Sequence, residues 1–174
     1  KFKENMKRIG ILSDTHGYWD DRYLKHFEHC DEIWHAGDIG SIDVLTELEA
    51  ISKVRFVYGN CDGWEFRGGN GSETQIFNCQ EHKVMLRHIV GKPGKYTPEA
   101  LEIIKREKPT IIVAGHSHIL RVKNDPDFGC LFINPGAAGR YGIHTQLTFL
   151  RFDINGKVLS NLEVWDEPKT IMVK

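Results

Sequence analysis

Apolar and polar positions along this chain fall into short blocks whose period changes from one block to the next. In residues 7–13, Ile9, Ile11 and Leu12 are separated only by Gly10, the near-continuous apolar pattern of a strand buried on both faces. Residues 20–30 then read as a helix and 32–36 as a second short strand. Over residues 41–51, Val44, Leu45, Leu48 and Ile51 recur at helical spacing and share one face. Residues 54–58 form a third strand. This βαβαβ rhythm predicts a parallel sheet carrying helices, because parallel neighbours need a long crossover between them.

The second half has a different texture. Residues 74–78 and 83–87 read as neighbouring strands. Residues 98–108 follow as a helix, with Thr97 as N-cap and Pro98 at the first helical position. Strands are predicted at 110–114, 120–123, 130–134, 147–153 and 158–165, the last two joined at Asn155-Gly156, a type I′ hairpin signal. A helix-rich half followed by an antiparallel half buries its apolar surface most economically as two sheets face to face with helices outside. The expected fold is therefore an α/β two-sheet sandwich flanked by helices, with residues 7–166 as one domain.

Composition narrows the class further. The chain has 174 residues, 40% hydrophobic and 27% charged, which suits one globular unit with a sizeable core. Lys+Arg 23 against Asp+Glu 24 leaves a net charge of -1, which disfavours gripping long nucleic acid by phosphate charge but not binding a small anion. No apolar run reaches the ~20 residues of a membrane span, and the start shows no signal-peptide pattern. Cys30, Cys61, Cys79 and Cys130 are scattered without a CxxC grouping. The expectation is a cytoplasmic protein with free thiols and no membrane association, for which a homo-oligomer stays open.

Candidate chemistry stands at the strand ends. Five polar clusters each follow a predicted strand: Asp14-Thr15-His16-Gly17, Gly37-Asp38, Gly59-Asn60-Cys61-Asp62, His88, and Gly115-His116-Ser117-His118. Ligands in α/β sheets bind at the carboxyl ends of strands, so these clusters are expected to converge. Asp, Asn and His together make an oxygen and nitrogen ligand set for divalent metals. In an extended segment, the i, i+2 spacing of Asp14/His16 and of His116/His118 points each pair to one side. The glycines before Asp38, Asn60 and His116 are expected to let the backbone turn into a crowded pocket. Any one piece is as compatible with a turn or a satisfied core histidine as with a ligand; all of them, in this order, favour a metal site.

The motif order resembles that of the calcineurin-like metallophosphoesterases, in particular the small YfcE-like phosphodiesterases, a fold that also serves as a retromer scaffold subunit. The family pattern runs D-x-H, G-D, G-N-H-D, H and G-H-x-H, and the likeness extends from Ile9 to Asn134-Pro135-Gly136. It implies an αββα sandwich and a hydrolase acting on small phosphodiesters with two divalent ions, manganese foremost, with iron, nickel or zinc as alternatives. By the same resemblance, Asp14, His16 and His118 would hold one ion, Asn60, His88 and His116 the other, and Asp38 would touch both. Two metals about 3.5–4 Å apart can activate a bridging hydroxide for attack on phosphorus, with no protein nucleophile needed.

Two departures from the pattern matter. His88 is followed by Ile89-Val90-Gly91 where glycine usually comes at once, so its loop is expected to be shaped differently. Cys61 occupies the position of the histidine that protonates the leaving group in many members. That leaves the general acid unassigned, and Asp62 to hold the loop through backbone hydrogen bonds. His26 and His29 read as surface residues and His82 as a solvent-facing turn residue. His35 reads equally as support for a metal ligand or as buried structure. Arg140 is the candidate substrate contact, with Tyr141 and His144 beside it, against the alternative of a plain surface turn. The competing function is a non-catalytic protein-interaction scaffold of the same fold. A scaffold has no need of every ligand, so the intact set argues for the enzyme. The near-neutral charge speaks against a DNA-processing nuclease.

Overall fold

A computed structural model describes residues 5–69 and 71–169. Its first half runs β1 (Lys7–Leu12), α1 (Asp21–Phe27), β2 (Glu32–His35), α2 (Ile42–Ile51) and β3 (Lys53–Phe56). Asp20 caps α1 by accepting from the backbone N–H of Arg22, and Ser41 caps α2 by accepting from that of Asp43, so short polar side chains set both helix starts. A short helix, α3 (Trp64–Arg67), precedes β4 (Thr74–Cys79) and β5 (His82–Arg87). A small hairpin, β6 (Gly91–Lys92) with β7 (Lys95–Tyr96), leads into α4 (Pro98–Glu107). The remainder is β8 (Ile111–Val113), β9 (Leu120–Asp125), β10 (Cys130–Pro135), β11 (Gln146–Asn155) and β12 (Val158–Pro168).

The strands form two five-stranded sheets, in the orders β12-β11-β1-β2-β3 and β4-β5-β8-β10-β9. β1 is central in the first, parallel to β2 and antiparallel to β11, with Ile9 opposite Glu32 on one side and Phe152 on the other. β8 is central in the second, parallel to both β5 and β10. The expectation of an antiparallel second half is thus corrected: α4 acts as a crossover that brings β8 in parallel to β5, and β11 and β12 leave this sheet to complete the first. The last hairpin also departs from type I′. Asn155 pairs with Val158, so the loop is Gly156-Lys157, and of these only Gly156 has a positive φ, +61°, the type II′ pattern.

Apolar side chains fill three layers. Between the sheets, Ile9, Ile11 and Leu150 meet Val84, Val113 and Ile133. Outside the first sheet, Tyr23, Phe27 and Leu48 of the helices cover Leu12, Ile33 and Phe149. Outside the second, Ala100 and Ile104 of α4 cover Met85, Ile112 and Phe132. β1 and β8 are therefore apolar on both faces, which is why each reads as an unbroken run. Burying each such side chain stabilises the fold by roughly 1.5–3 kcal/mol, so slipping a strand by one residue is heavily penalised.

Two histidines depart from their expected places. α1 ends at Phe27, short of the expected residue 30, and His26 is buried edge-on against Phe27, Phe149 and Trp165 instead of facing water. His82 opens β5, half-buried, with hydrogen bonds to Thr110 Oγ1 and Lys157 O. His29 is exposed, as expected. All four cysteines are free, and only Cys61 is exposed. Among the described residues no helix is long and apolar enough to cross a membrane.

Candidate metal centre

The loops after β1, β2, β3, β5 and β8 meet at one edge of the sandwich. Backbone bonds lace the first two: Asp14 N–H to Gly37 O (3.0 Å), His16 N–H to Asp38 O (3.0 Å) and Gly17 N–H to Ile39 O (2.7 Å). Asp62 fastens the third, accepting the N–H groups of Gly59 (2.9 Å), Ile39 (3.1 Å) and Gly40 (3.0 Å), the loop-holding role expected of it. Arg67 adds a brace: its Nε donates to Asp62 O (2.8 Å) and its guanidinium lies 4.7 Å over the Tyr58 ring.

Asp14, His16, Asp38, His116 and His118 all have left-handed backbone, with φ of 55°, 45°, 54°, 70° and 61°. The i, i+2 pairs are therefore not extended. Left-handed turns, not strand alternation, aim these side chains inward. That region costs an L-residue roughly 1–2 kcal/mol, so its concentration at one edge marks a site where function outweighs local strain. The preceding glycines also act differently from expectation. Gly37 does turn, at φ +97°, but Gly59 and Gly115 stay at negative φ. A Cβ there would stand 2.1 Å from Asp38 Oδ1 and 2.2 Å from Ser13 Oγ, so these two permit close approach.

Each acid has one oxygen fastened and the other aimed. Asp14 Oδ2 accepts from Ser13 Oγ (2.6 Å) and from the N–H of His116 (3.1 Å). Its Oδ1 faces Nε2 of His118 (3.1 Å), His16 (3.7 Å) and His88 (3.9 Å). Asp38 Oδ1 accepts from the N–H of Cys61 (2.8 Å), while Oδ2 faces Nε2 of His88 (3.1 Å) and of His16 (3.7 Å). Burial by itself would raise both carboxyls. The imidazoles facing them, His118 and His16 beside Asp14 and His88 beside Asp38, nevertheless hold both below the usual carboxylate range.

Hydrogen bonds behind the imidazoles decide which nitrogen presents a lone pair. His88 Nδ1 lies 2.7 Å from Ala36 O, which can only accept, so a neutral ring leaves Nε2 bare toward Asp38. His144 Nε2 donates to Gly139 O (2.7 Å), its Nδ1 accepts from His118 Nδ1 (3.2 Å), and His118 Nε2 is left bare toward Asp14. Bare nitrogens facing carboxylate oxygens need a cation or a shared proton between them. Nε2 of His16 and Nε2 of His88 are buried without a hydrogen-bond partner, an unmet valence that a divalent ion would satisfy. The donor set thus fits a metal.

Among the described residues, potential ligand atoms lying within 4.8 Å of one another fall into three groups: Asp14, His16 and His118; Asp38, His88 and His116; and His16, Asp38 and Cys61. The first brings together the three residues that the resemblance puts on one ion, and the second sets Asp38 beside His88 and His116. Asn60 Oδ1 adjoins the second through His116 Nδ1, 3.1 Å away. His88 is buried and aimed with the others despite its unusual loop. Burial, then the charge of Asp38, pushes the Cys61 thiol above its ordinary value. Arg140 is exposed with its guanidinium 5.2 Å over Tyr18, and the Tyr141 ring lies 4.8 Å from that of His16. A cavity of about 230 Å³ lined by Tyr58, Asn60, Arg67 and His88 opens alongside.

His35, which the sequence leaves open, has a definite place. The N–H of Gly37 donates to its Nδ1 (3.1 Å), so the ring proton is on Nε2 and goes to Thr15 Oγ1 (2.9 Å), whose hydroxyl donates to Ile39 O (2.9 Å). Burial drives this imidazole down to about 3, so it is a neutral pin between the two loops that carry the acids. Ser13 and Arg67, and the role of Thr15, escape sequence reading because a hydroxyl beside an acid, or an arginine in a four-residue helix, has no spacing signature.

A two-sheet sandwich with acids and imidazoles gathered at its strand ends defines a class of candidate metal-binding proteins. The chain belongs to the calcineurin-like phosphoesterase superfamily, whose domain model matches residues 6–157. It is 28% identical over 134 residues to a probable metallophosphoesterase of Methanothermobacter thermautotrophicus, covering 74% of this chain and 76% of that protein. Its fold is similar to that of a novel archaeal phosphodiesterase, with a TM-score of 0.72 and 23% identity over 91% of this chain and 99% of that one. It is also similar to wild-type Vps29 of Entamoeba histolytica complexed with zinc, with a TM-score of 0.71 and 18% identity over 94% and 99% of the two chains.

Proposed function

We propose that the protein is a metal-dependent phosphodiesterase hydrolysing small phosphodiesters, with residues 7–166 as one cytoplasmic domain. In this reading Asp14, His16 and His118 hold one divalent ion, Asn60, His88 and His116 hold a second, and Asp38 touches both. Manganese is the first choice, and iron, nickel or zinc suit the same donors. The observation that carries the reading is the aimed oxygen of each acid, facing imidazole nitrogens that have no other partner. When bound, such ions supply Lewis acidity toward a phosphoryl oxygen and lower the pKa of water.

The chain's own residues set the terms of that chemistry. Asp14 and Asp38 offset part of the metal charge, leaving a site that attracts a phosphate anion. His35 and Asp62 hold the loops rigid, and Arg140 reaches the substrate from the rim. Cys61 is held as a thiol, so leaving groups that depart as stable anions, such as aryl oxides, are favoured. The likeness to an archaeal phosphodiesterase supports this reading.

A scaffold is the second reading, and the Vps29 likeness favours it. That neighbour is complexed with zinc, so metal uptake does not by itself separate enzyme from scaffold. The test strips the metal by chelation, restores single divalent ions and assays a panel of phosphomonoesters and phosphodiesters. Aryl diesters cleaved faster than monoesters support the enzyme; metal uptake without hydrolysis of any ester leaves the scaffold.

A further inference from the structure

Outside the ligand set, a cavity of about 320 Å³ adjoins the centre, lined by Lys92, Lys95, Ser117, Ile119, Arg121 and Phe132 among others. One wall is the loop that carries His116 and His118, and the others are β9, β10 and the β6–β7 hairpin. Ser117 stands between His116 and His118, and the hairpin bearing both lysines follows directly on the His88 loop. Asn134 fixes one wall, its Nδ2 donating to Gly115 O (2.9 Å) and to Ser117 Oγ (3.1 Å).

The charge at this cavity is unbalanced. Arg8, Arg55 and Arg151 elsewhere pair with Asp153, Glu32 and Glu163, whereas Lys92, Lys95 and Arg121 have no carboxylate partner among the described residues. Lys92 and Lys95 also stand directly opposite each other across the Pro93-Gly94 turn, where Gly94 takes φ +82°. Like charges opposed across a hairpin are destabilising, and a hairpin this short has little to offset the cost. A local conflict that nothing nearby relieves is the signature of a functional constraint. Beside the cations, exposed Ile119 supplies apolar surface, while Phe132, also in the lining, is buried.

We propose that this cavity is a substrate subsite for one arm of the diester, an arm that joins an apolar ring body to a second anionic group, as a nucleotide does. The inference rests on the phosphodiesterase reading of the adjoining centre. The ring body lies against Ile119, and the second anion is held by Lys92, Lys95 and Arg121. The unusual His88-Ile89-Val90-Gly91 run is then the sequence feature that makes room for the hairpin.

Two measurements test this separately from the chemistry. Adenosine 5′-monophosphate is titrated into the metal-free chain by calorimetry, against adenosine and inorganic phosphate alone. The mononucleotide is expected to bind more tightly than either fragment, and to weaken about tenfold or more in Lys92→Glu/Lys95→Glu. Arg121→Gln, on a different strand, is expected to weaken it in the same direction. In the manganese-loaded protein, KM is compared between a diester whose arm carries a terminal phosphate and bis(4-nitrophenyl) phosphate. Their ratio is expected to rise about tenfold in the double variant. Mononucleotide binding untouched by both variants, or an unmoved KM ratio, overturns the subsite. Binding that is lost in the variants while no ester is hydrolysed by the loaded wild type keeps the anion site and overturns the phosphodiesterase reading instead.

Discussion

Asp38 gives one carboxylate oxygen to the N–H of Cys61 and turns the other toward His88 and His16. Asp38→Asn keeps an acceptor for Cys61 but presents an amide where a negative charge stood. Turnover is expected to fall by about 10²-fold or more and metal occupancy to drop, while the melting temperature of the metal-free chain stays near wild type. Elemental analysis with a diester assay checks this; full occupancy and activity would remove Asp38 from the centre. Cys61 is the opposite case. Its backbone holds Asp38, but its thiol is raised by burial and by that acid, so Cys61→Ala is expected to change aryl-diester turnover by less than about threefold. Both oxygens of Asp62 are taken by backbone amides, so a new imidazole at 61 would lack an orienting carboxylate. Cys61→His is accordingly expected to gain far less on alkyl esters than the ~10²–10⁴-fold of a positioned acid. Kinetics on matched aryl and alkyl diesters decide it.

Among the elements, the loop after β8 and the start of α4 offer a contrast. A Cβ at Gly115 would stand 2.2 Å from Ser13 Oγ and 2.9 Å from Asp14 Oδ2, forcing apart the ends of β1 and β8. Gly115→Ala is expected to cost about 1–3 kcal/mol and to weaken metal binding as well. Thr97 accepts from the N–H of Ala100 at the start of α4, and Thr97→Ala is expected to cost about 1 kcal/mol with metal uptake unchanged. Calorimetry beside metal titration tests both; equal metal affinity in the two variants would mean that close approach at Gly115 does not shape the site. The long elements were legible because their apolar periods run over several residues. α3, β6 and β7 were not, since four-residue and two-residue elements carry no period.

For the whole molecule, His26 links pH to stability. Buried against Phe27, Phe149 and Trp165, its imidazole is pushed down to about 4, by burial first and by Arg151 second. An exposed histidine titrates near ~6.5, so on acidification the unfolded chain takes up this proton first. Stability should therefore fall as pH drops from about 6.5 to about 4 and level off below. Urea midpoints at about pH 7 and about pH 4.5 are expected to differ less in His26→Leu than in wild type, and an equal difference would excuse His26. The sequence by itself determined the layered sandwich and which polar motifs stand at the strand ends, because each apolar run ends abruptly in a polar motif and the run and its end are neighbours in the chain. Only the tertiary structure decided that the candidate ligands turn left-handed, which nitrogen faces which oxygen, that the amides of Cys61 and His116 fasten the acids, and that three cations without a carboxylate partner among the described residues border one cavity. Those relations join residues as distant as Asp14 and His118, 104 positions apart, and no local period along the chain can encode a contact made across the space between two sheets.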